Sequence, residues 1–242
     1  MPGPVNLNGA AKVDGWWRRL GGVLCRARCL ACGEPGRPGA DLCDACLAAL
    51  PWNDPACPRC ALPLPAPAPL CAACRRRAPP LHATHAALRY AAPVDRLLPR
   101  FKFHRDLAAG RLLAEAMAGR FAALPRPDAL LPVPLHLGRL RQRGYDQALE
   151  LARPLAGALD LPLLPGALRR VRATRPQSEL DATARARNLR DAFAVEASQP
   201  LPAHVVLVDD VMTTGATLCA AARALRRAGA RRVDAWVCAR VA

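Results

Sequence analysis

Aromatic residues make up only 4% of this 242-residue chain. Its core must therefore be built mainly from alanine, leucine and valine, and contact with nucleic-acid bases has few rings on which to stack. Lysine is almost missing: Lys12 and Lys102 are the only two among 35 basic residues, so arginine carries nearly all the positive charge. No run of about 18 apolar residues occurs, which argues against a membrane-spanning helix. The first 24 residues hold Arg18 and Arg19 but no apolar stretch ending in a small-residue cleavage site. No secretory signal is expected, and the cytoplasm is the simplest location. The length suits one substantial core plus a small accessory unit.

The formal charge is +16. Enrichment in Ala, Arg, Pro and Leu can follow from genomic base composition, so the charge alone says little about nucleic acid. If eight cysteines hold two Zn²⁺ ions as thiolates, each site carries a net −2, and +16 less 4 is +12. That is still strongly basic and suits phosphate-rich partners.

Eight of the eleven cysteines form four Cys-x2-Cys pairs: Cys29 with Cys32, Cys43 with Cys46, Cys57 with Cys60, and Cys71 with Cys74. In a reducing compartment such pairs favour tetrahedral Zn²⁺ over disulfides, because the short turn lets both sulfurs face one ion. A redox dithiol or a single occupied site is the competing reading. Equal spacing leaves the pairing open, but the spacers favour consecutive pairs. Residues 33–42 are rich in Gly and Pro and residues 61–70 in Pro, as turn or extended segments are, whereas Leu47 to Leu50 reads as a short helical connector closed by Pro51. Cys29, Cys32, Cys43 and Cys46 would share one ion and Cys57, Cys60, Cys71 and Cys74 the other. With all four positions filled, such sites supply folding energy and leave no place for a catalytic water. Cys25 reads as a spare thiol or a substitute ligand, and Cys219 and Cys238 as buried thiols.

Pro79 and Pro80 close the cysteine-rich module. Beyond them, His82 to Tyr90 alternates as a strand and Asp106 to Leu124 patterns as an amphipathic helix. Between these lies Arg-Phe-Lys-Phe-His, residues 100–104. Lys102 there can serve a phosphate as a point charge or stand solvated between packing phenylalanines. Asp128 to Val133 reads as a second strand, stopped by Pro132 and Pro134. Arg139, Arg141 and Arg143 follow, with a helix to about Leu159. Guanidinium groups just past a strand end can fork onto a diphosphate, and a solvated helix face would carry the same charge. Arg143, tied to Gly144 at a turn, is the strongest of the three. The Arg-rich stretch from Arg169 to Phe193, including Arg185, fits a basic loop closing over an anionic site or a plain surface excursion. Near the carboxyl end, Leu218 to Arg227 reads as a helix ended by Gly229 and Val233 to Val237 as a last strand.

The most informative segment is Val205 to Leu218. Val205 to Val208 is an apolar run suited to a strand buried on both faces of a parallel sheet. Asp209 and Asp210 then stand at its carboxyl end, where open α/β sheets bind ligands. Thr213, Thr214, Gly215, Ala216 and Thr217 open the next helix and offer N–H groups and hydroxyls to an anion. The adjacent carboxylates suit ribose hydroxyls or a hydrated Mg²⁺ instead. Helix capping would need one hydroxyl and no acidic pair. The segment is built for a phosphorylated sugar.

This run resembles the phosphoribosyl diphosphate signature of type I phosphoribosyltransferases. Together with the four cysteine pairs, Pro132 to Leu135, Arg143-Gly144-Tyr145-Asp146-Gln147, Gln177 with Leu180, and Arg185 with Asn188, it makes the chain similar to the ComF family of competence-associated proteins from about Cys29 onward. The resemblance implies an α/β fold in which a double zinc ribbon at residues 25–80 precedes a phosphoribosyltransferase-like parallel sheet at 81–242, after an extension at 1–24. It implies ribose contacts from Asp209 and Asp210, which would also be the catalytic residues. A 5-phosphate loop at Thr213 to Thr217 and a diphosphate loop containing Val133, Pro134 and Leu135 are implied as well. Lys102, Arg143 and Arg185 would join them, with Mg²⁺ accompanying phosphoribosyl diphosphate. Asp146 stands where the family more often has Asn. Ala61 and Arg75 follow second-ribbon knuckles where glycine is common, which predicts a more strained second ribbon than the first, where Gly33 is present.

Three functions are compatible with these features. The first is handling of imported single-stranded DNA in natural transformation, with mainly electrostatic contact. The second is a phosphoribosyltransferase acting on an unread acceptor. The third is a zinc-ribbon adaptor that docks a DNA-import protein while its pocket senses a nucleotide.

Overall fold

The computed structural model describes residues 28–37, 41–171, 192–196 and 200–242. The chain divides into two compact units, residues 1–48 and 49–242. In the smaller unit a knuckle turn is closed by Cys29 N–H donating to Glu34 O at 2.8 Å and Gly33 N–H donating to Cys29 O at 2.8 Å. Gly33 takes the left-handed φ of 81° that this turn requires. Helix α1 (Asp44–Ala48) follows and carries Cys46.

The larger unit opens with the same turn. Cys57 N–H donates to Leu62 O at 2.9 Å and Ala61 N–H to Cys57 O at 2.8 Å, so Ala61 occupies the place of Gly33. It adopts φ 53°, a conformation that costs an L-residue about 1–2 kcal/mol. Two contacts offset the strain: Ala61 is buried in the main apolar cluster of this unit, and its carbonyl accepts from Asn53 Nδ2 at 2.9 Å. Arg75 needs no such compensation, because it lies within the short helix α2 (Ala72–Arg76).

The sheet of the larger unit is parallel, with strand order β1-β6-β5-β2. Strand β1 spans Thr84–Arg89, β2 Ala129–Pro132, β5 His204–Met212 and β6 Arg232–Arg240. Val205 to Val208 are fully buried, because helices cover both faces. On one face, α4 (Leu107–Phe121) packs on β1 and β6, and, after the short helix α5 (Leu137–Arg143), α6 (Gln147–Leu159) packs on β2 and β5. On the other, α7 (Ala216–Arg227) packs on β5 and β6. Phe121 of α4 meets Trp236 of β6 with ring centroids 5.1 Å apart.

A small antiparallel pair, β3 (Leu168–Arg170) with β4 (Phe193–Val195), brackets the basic stretch. Gln177, Leu180, Arg185 and Asn188 of that stretch lie outside the described residues.

The expected strands and helices are present within a few residues of their sequence boundaries, and two differences matter. Residues 100–104 are the last turn of a helix, α3 (Val94–His104), whose Pro99 masks its period in the sequence. Strand β5 also runs on through Asp209 and Asp210 to Met212, because pairing with β6 continues to Arg240. Among the described residues no helix is long and apolar enough to cross a membrane.

Substituting Ala61 separates strain from packing. Ala61→Gly relieves the left-handed backbone while losing a buried methyl worth about 0.8 kcal/mol, so its stability should stay within about 1 kcal/mol of the parent. Ala61→Val adds bulk to a filled site and should cost about 2 kcal/mol or more. Denaturant midpoints of the zinc-loaded protein would measure both.

Candidate functional site

The carboxyl ends of β2 and β5 open onto a cavity of about 740 Å³, within the range of small-molecule sites. Its lining brings together Val133, Pro134 and Leu135 from the loop after β2, Arg143, Lys102 from the end of α3, and Asp209, Asp210, Thr213 and Thr217 from the β5–α7 region. A recess of about 50 Å³ beside the first turn of α7 is lined by Asp209, Thr213, Gly215, Ala216 and Thr217. Of the residues singled out in the sequence, Thr214 lies in the same turn and accepts the Ala216 N–H at 3.4 Å.

Gly215 is what allows this turn. It has φ 74° and caps α7, and a Cβ there would sit 2.4 Å from Met212 Cε. The first-turn N–H groups of α7 are thereby set at the recess, where the helix end favours negative charge.

The acidic pair sets the electrostatics. Lys102 Nζ lies 2.9 Å from Asp210 Oδ2, with both side chains largely buried. Asp209 Oδ1 accepts the Asp210 N–H at 2.9 Å. Burial, followed by the neighbouring Asp210 charge, pushes the Asp209 carboxyl up to about 8, against the pull of that N–H and of Lys102. Lys102 thus serves Asp210 directly, while burial and the Asp210 charge favour the protonated form of Asp209.

The loop after β2 is held by a residue whose role the sequence did not reveal. Asp146 caps α6, accepting from Leu149 N at 3.2 Å through Oδ1 and from Leu135 N at 2.9 Å through Oδ2. Both carboxylate oxygens are therefore used to pin the loop to the helix, whereas an amide would offer one acceptor. Arg143 donates to Gln147 Oε1 at 2.8 Å and lies 5.3 Å from the centre of the Phe103 ring.

Arg105 and Arg170 also line the cavity, and neither stood out in the sequence. Arg170 sits on a three-residue strand, its guanidinium 5.6 Å from the Phe193 ring centre. Burial lowers its pKa. Arg139 is at the cavity too, while Arg141 is exposed and not part of its lining.

The cysteines converge separately. Cys29, Cys32, Cys43 and Cys46 form one cluster and Cys57, Cys60, Cys71 and Cys74 another, each with its sulfurs within 4.8 Å of one another. This is the consecutive pairing. Sulfurs about 2.3 Å from a central ion define tetrahedral edges of about 3.8 Å. Cys32 and Cys43 lie 3.7 Å apart and Cys60 and Cys71 3.6 Å. Backbone N–H groups of Cys71 and Cys74 point at the sulfurs of Cys57 and Cys71. Burial disfavours ionising Cys57, but N–H groups of Cys71, Arg59 and Cys60 prevail and bring its thiol to about 7. Burial and the Cys57 charge raise Cys60 to about 11. Four thiolates at such spacing need a cation, and a tetrahedral Zn²⁺ fits both donor sets.

The zinc knuckle and the cavity are joined through Arg240. Its buried guanidinium donates from Nε to Cys60 O at 3.1 Å and from Nη1 to Met212 O at 3.2 Å, tying the second cysteine cluster to the end of β5.

Residues 22–75 match the double zinc ribbon domain and residues 146–241 the phosphoribosyl transferase domain. The chain is 38% identical over 204 residues to the DNA utilization protein YhgH of Salmonella typhi, covering 81% of this chain and 88% of that protein. It is 36% identical over 222 residues to the protein of the same name from Escherichia coli K12, covering 88% and 93%. With the Competence protein F of Haemophilus influenzae it shares 38% identity over 159 residues, covering 62% and 69%.

The Asp209 shift carries a stability signature. Between the ordinary carboxyl value of 3.8 and about 8, the folded state holds a proton that the unfolded state has lost, so stability falls as pH rises through that window and levels off above it. Asp209→Asn lacks this slope. Thermal unfolding from pH 5 to 8 should therefore decline more steeply in the parent than in the variant, and parallel profiles would mean that Asp209 is already ionised in the fold.

Proposed function

The chain belongs to the ComF family of competence-associated proteins, and on that premise we propose that its cavity binds phosphoribosyl diphosphate and that the protein handles imported single-stranded DNA on the cytoplasmic side. One observation carries the pocket: β5 and the turn after it deliver Asp209, Asp210, Thr213 and Thr217 to the same cavity that holds Lys102, Arg143 and the 133–135 loop, with the small recess at the first turn of α7 beside them. The α7 recess suits the 5-phosphate. Arg143, Arg139 and Arg170, with the loop after β2, suit the diphosphate, since arginine forks onto phosphate oxygens. Asp209 and Asp210 suit the ribose hydroxyls, and their oxygens are also the donors a hydrated Mg²⁺ would take, supplying charge neutralisation to the diphosphate. The names of the similar proteins, a DNA utilization protein and a competence protein, support placing the activity in DNA uptake.

A second reading is supported by the size of the cavity, about 740 Å³, which leaves space for an acceptor beside the sugar. In that case a nucleophile would form a bond to the anomeric carbon as the bond to diphosphate breaks, with the arginines stabilising the departing charge.

Calorimetric titration of the zinc-loaded protein with phosphoribosyl diphosphate and Mg²⁺ tests the pocket. Binding is expected in the parent and should be lost in Asp209→Asn/Asp210→Asn. Unchanged affinity in the double variant would overturn the site. Measuring diphosphate release with nucleobase acceptors then separates the readings: binding without release favours DNA handling, and release favours transfer.

A further inference from the structure

Five exposed arginines of the larger unit, Arg111, Arg120, Arg126, Arg153 and Arg169, each lie against a carboxylate. Another group without such partners gathers on two neighbouring elements. Arg75, Arg76 and Arg77 stand exposed at the end of α2, and Arg223 and Arg226 are exposed three residues apart on α7. Arg231 is exposed just beyond the α7 turn.

The two groups are neighbours. Arg226 Nη1 donates to Pro80 O at 3.3 Å, and Arg77 is three residues from Pro80, a reach of about 10 Å at most. The apolar cluster beneath them also contains Ala61 and Leu81 next to Ala220, Ala221 and Ala224 of α7. Zinc ligation of Cys74 would hold the Arg75–Arg77 run in place, because α2 carries that cysteine.

Among the described residues, none of these six side chains enters an ion pair, and apart from the Arg226 contact with Pro80 their guanidinium groups make no other hydrogen bond. Two solvated arginines elsewhere carry acids at i±3 or i±4, Arg111 with Glu115 and Arg153 with Glu150. Helix α7 has no acid at all, and neither does α2. Six uncompensated charges on one face raise the local potential and select a polyanion.

Resting on the reading that the protein handles single-stranded DNA, we propose that this face, formed by the end of α2 and the outer side of α7, is the track for the strand's phosphates. Among the described residues no aromatic side chain belongs to it, so recognition is through the backbone and independent of sequence. The partner is distinguished from the small ligand of the cavity by its repeating charge.

The test is fluorescence anisotropy of a labelled 20-residue oligothymidylate with zinc-loaded protein over a salt series. Six phosphate contacts on a single strand imply a slope of log affinity against log salt near −4, at about 0.7 per contact. Arg75→Gln/Arg76→Gln/Arg77→Gln should flatten the slope by about 2, and Arg223→Gln/Arg226→Gln by about 1.4. Both variants should retain their zinc and their binding of phosphoribosyl diphosphate. Full-strength binding in both variants, with loss in Arg143→Gln instead, would overturn this face and leave DNA handling standing. A parent protein that binds no oligonucleotide would overturn both. An unlabelled duplex that competes as well as the single strand would overturn the assignment to single strands.

Discussion

Two carboxylates cannot lie side by side at the end of a buried strand as free ions, and the way this chain resolves that conflict shapes the rest of the larger unit. Lys102 compensates Asp210 at 2.9 Å, and Asp209 holds its proton to about pH 8 under burial and the charge of its neighbour. Without those two devices the desolvation of the pair would cost several kcal/mol. Helix α3 must therefore end where it does, with Lys102 in its last turn, and β5 must extend past its apolar run. A destabilised pair of this kind is expected where binding energy is to be recovered from a ligand.

Arg240 adds a second constraint. A buried guanidinium is tolerated only when its N–H groups are satisfied, and here they reach Cys60 O, Met212 O and Val241 O. Met212 immediately precedes the turn into α7, so the same side chain that steadies the zinc knuckle also sets the end of β5. The second cysteine cluster is thus part of the scaffold of the cavity. Its left-handed Ala61 fits that role: strain at the knuckle is offset by packing into the core beneath α7.

Much of this was legible in the residue pattern, and the parts that were not have common physical causes. The run Val205 to Val208 marked its strand because burial on both faces demands uninterrupted apolar residues, and the hydroxyl- and glycine-rich turn after it marked the helix start. The cysteine spacing marked both clusters, since a knuckle is a local structure. Helix α3 was obscured because Pro99 interrupts its pattern. The function of Asp146 was hidden because its second acceptor oxygen meets Leu135, eleven positions earlier. Arg105 and Arg170 carried no signal, because a lone arginine reads the same on a cavity wall as on a solvated surface.

The sequence by itself determined the elements and the chemistry each could offer: a parallel strand ending in an acidic pair, an anion-binding turn, and two sets of four thiols. These depend on residues close together in the chain, where periodicity and spacing act directly. Only the tertiary structure decided the partners. Lys102 meets Asp210 across more than a hundred positions, Arg240 meets Cys60 across still more, and Arg226 meets the carbonyl of Pro80. Parallel crossovers bring such distant segments to one sheet end, and no local pattern encodes which side chains will then face each other.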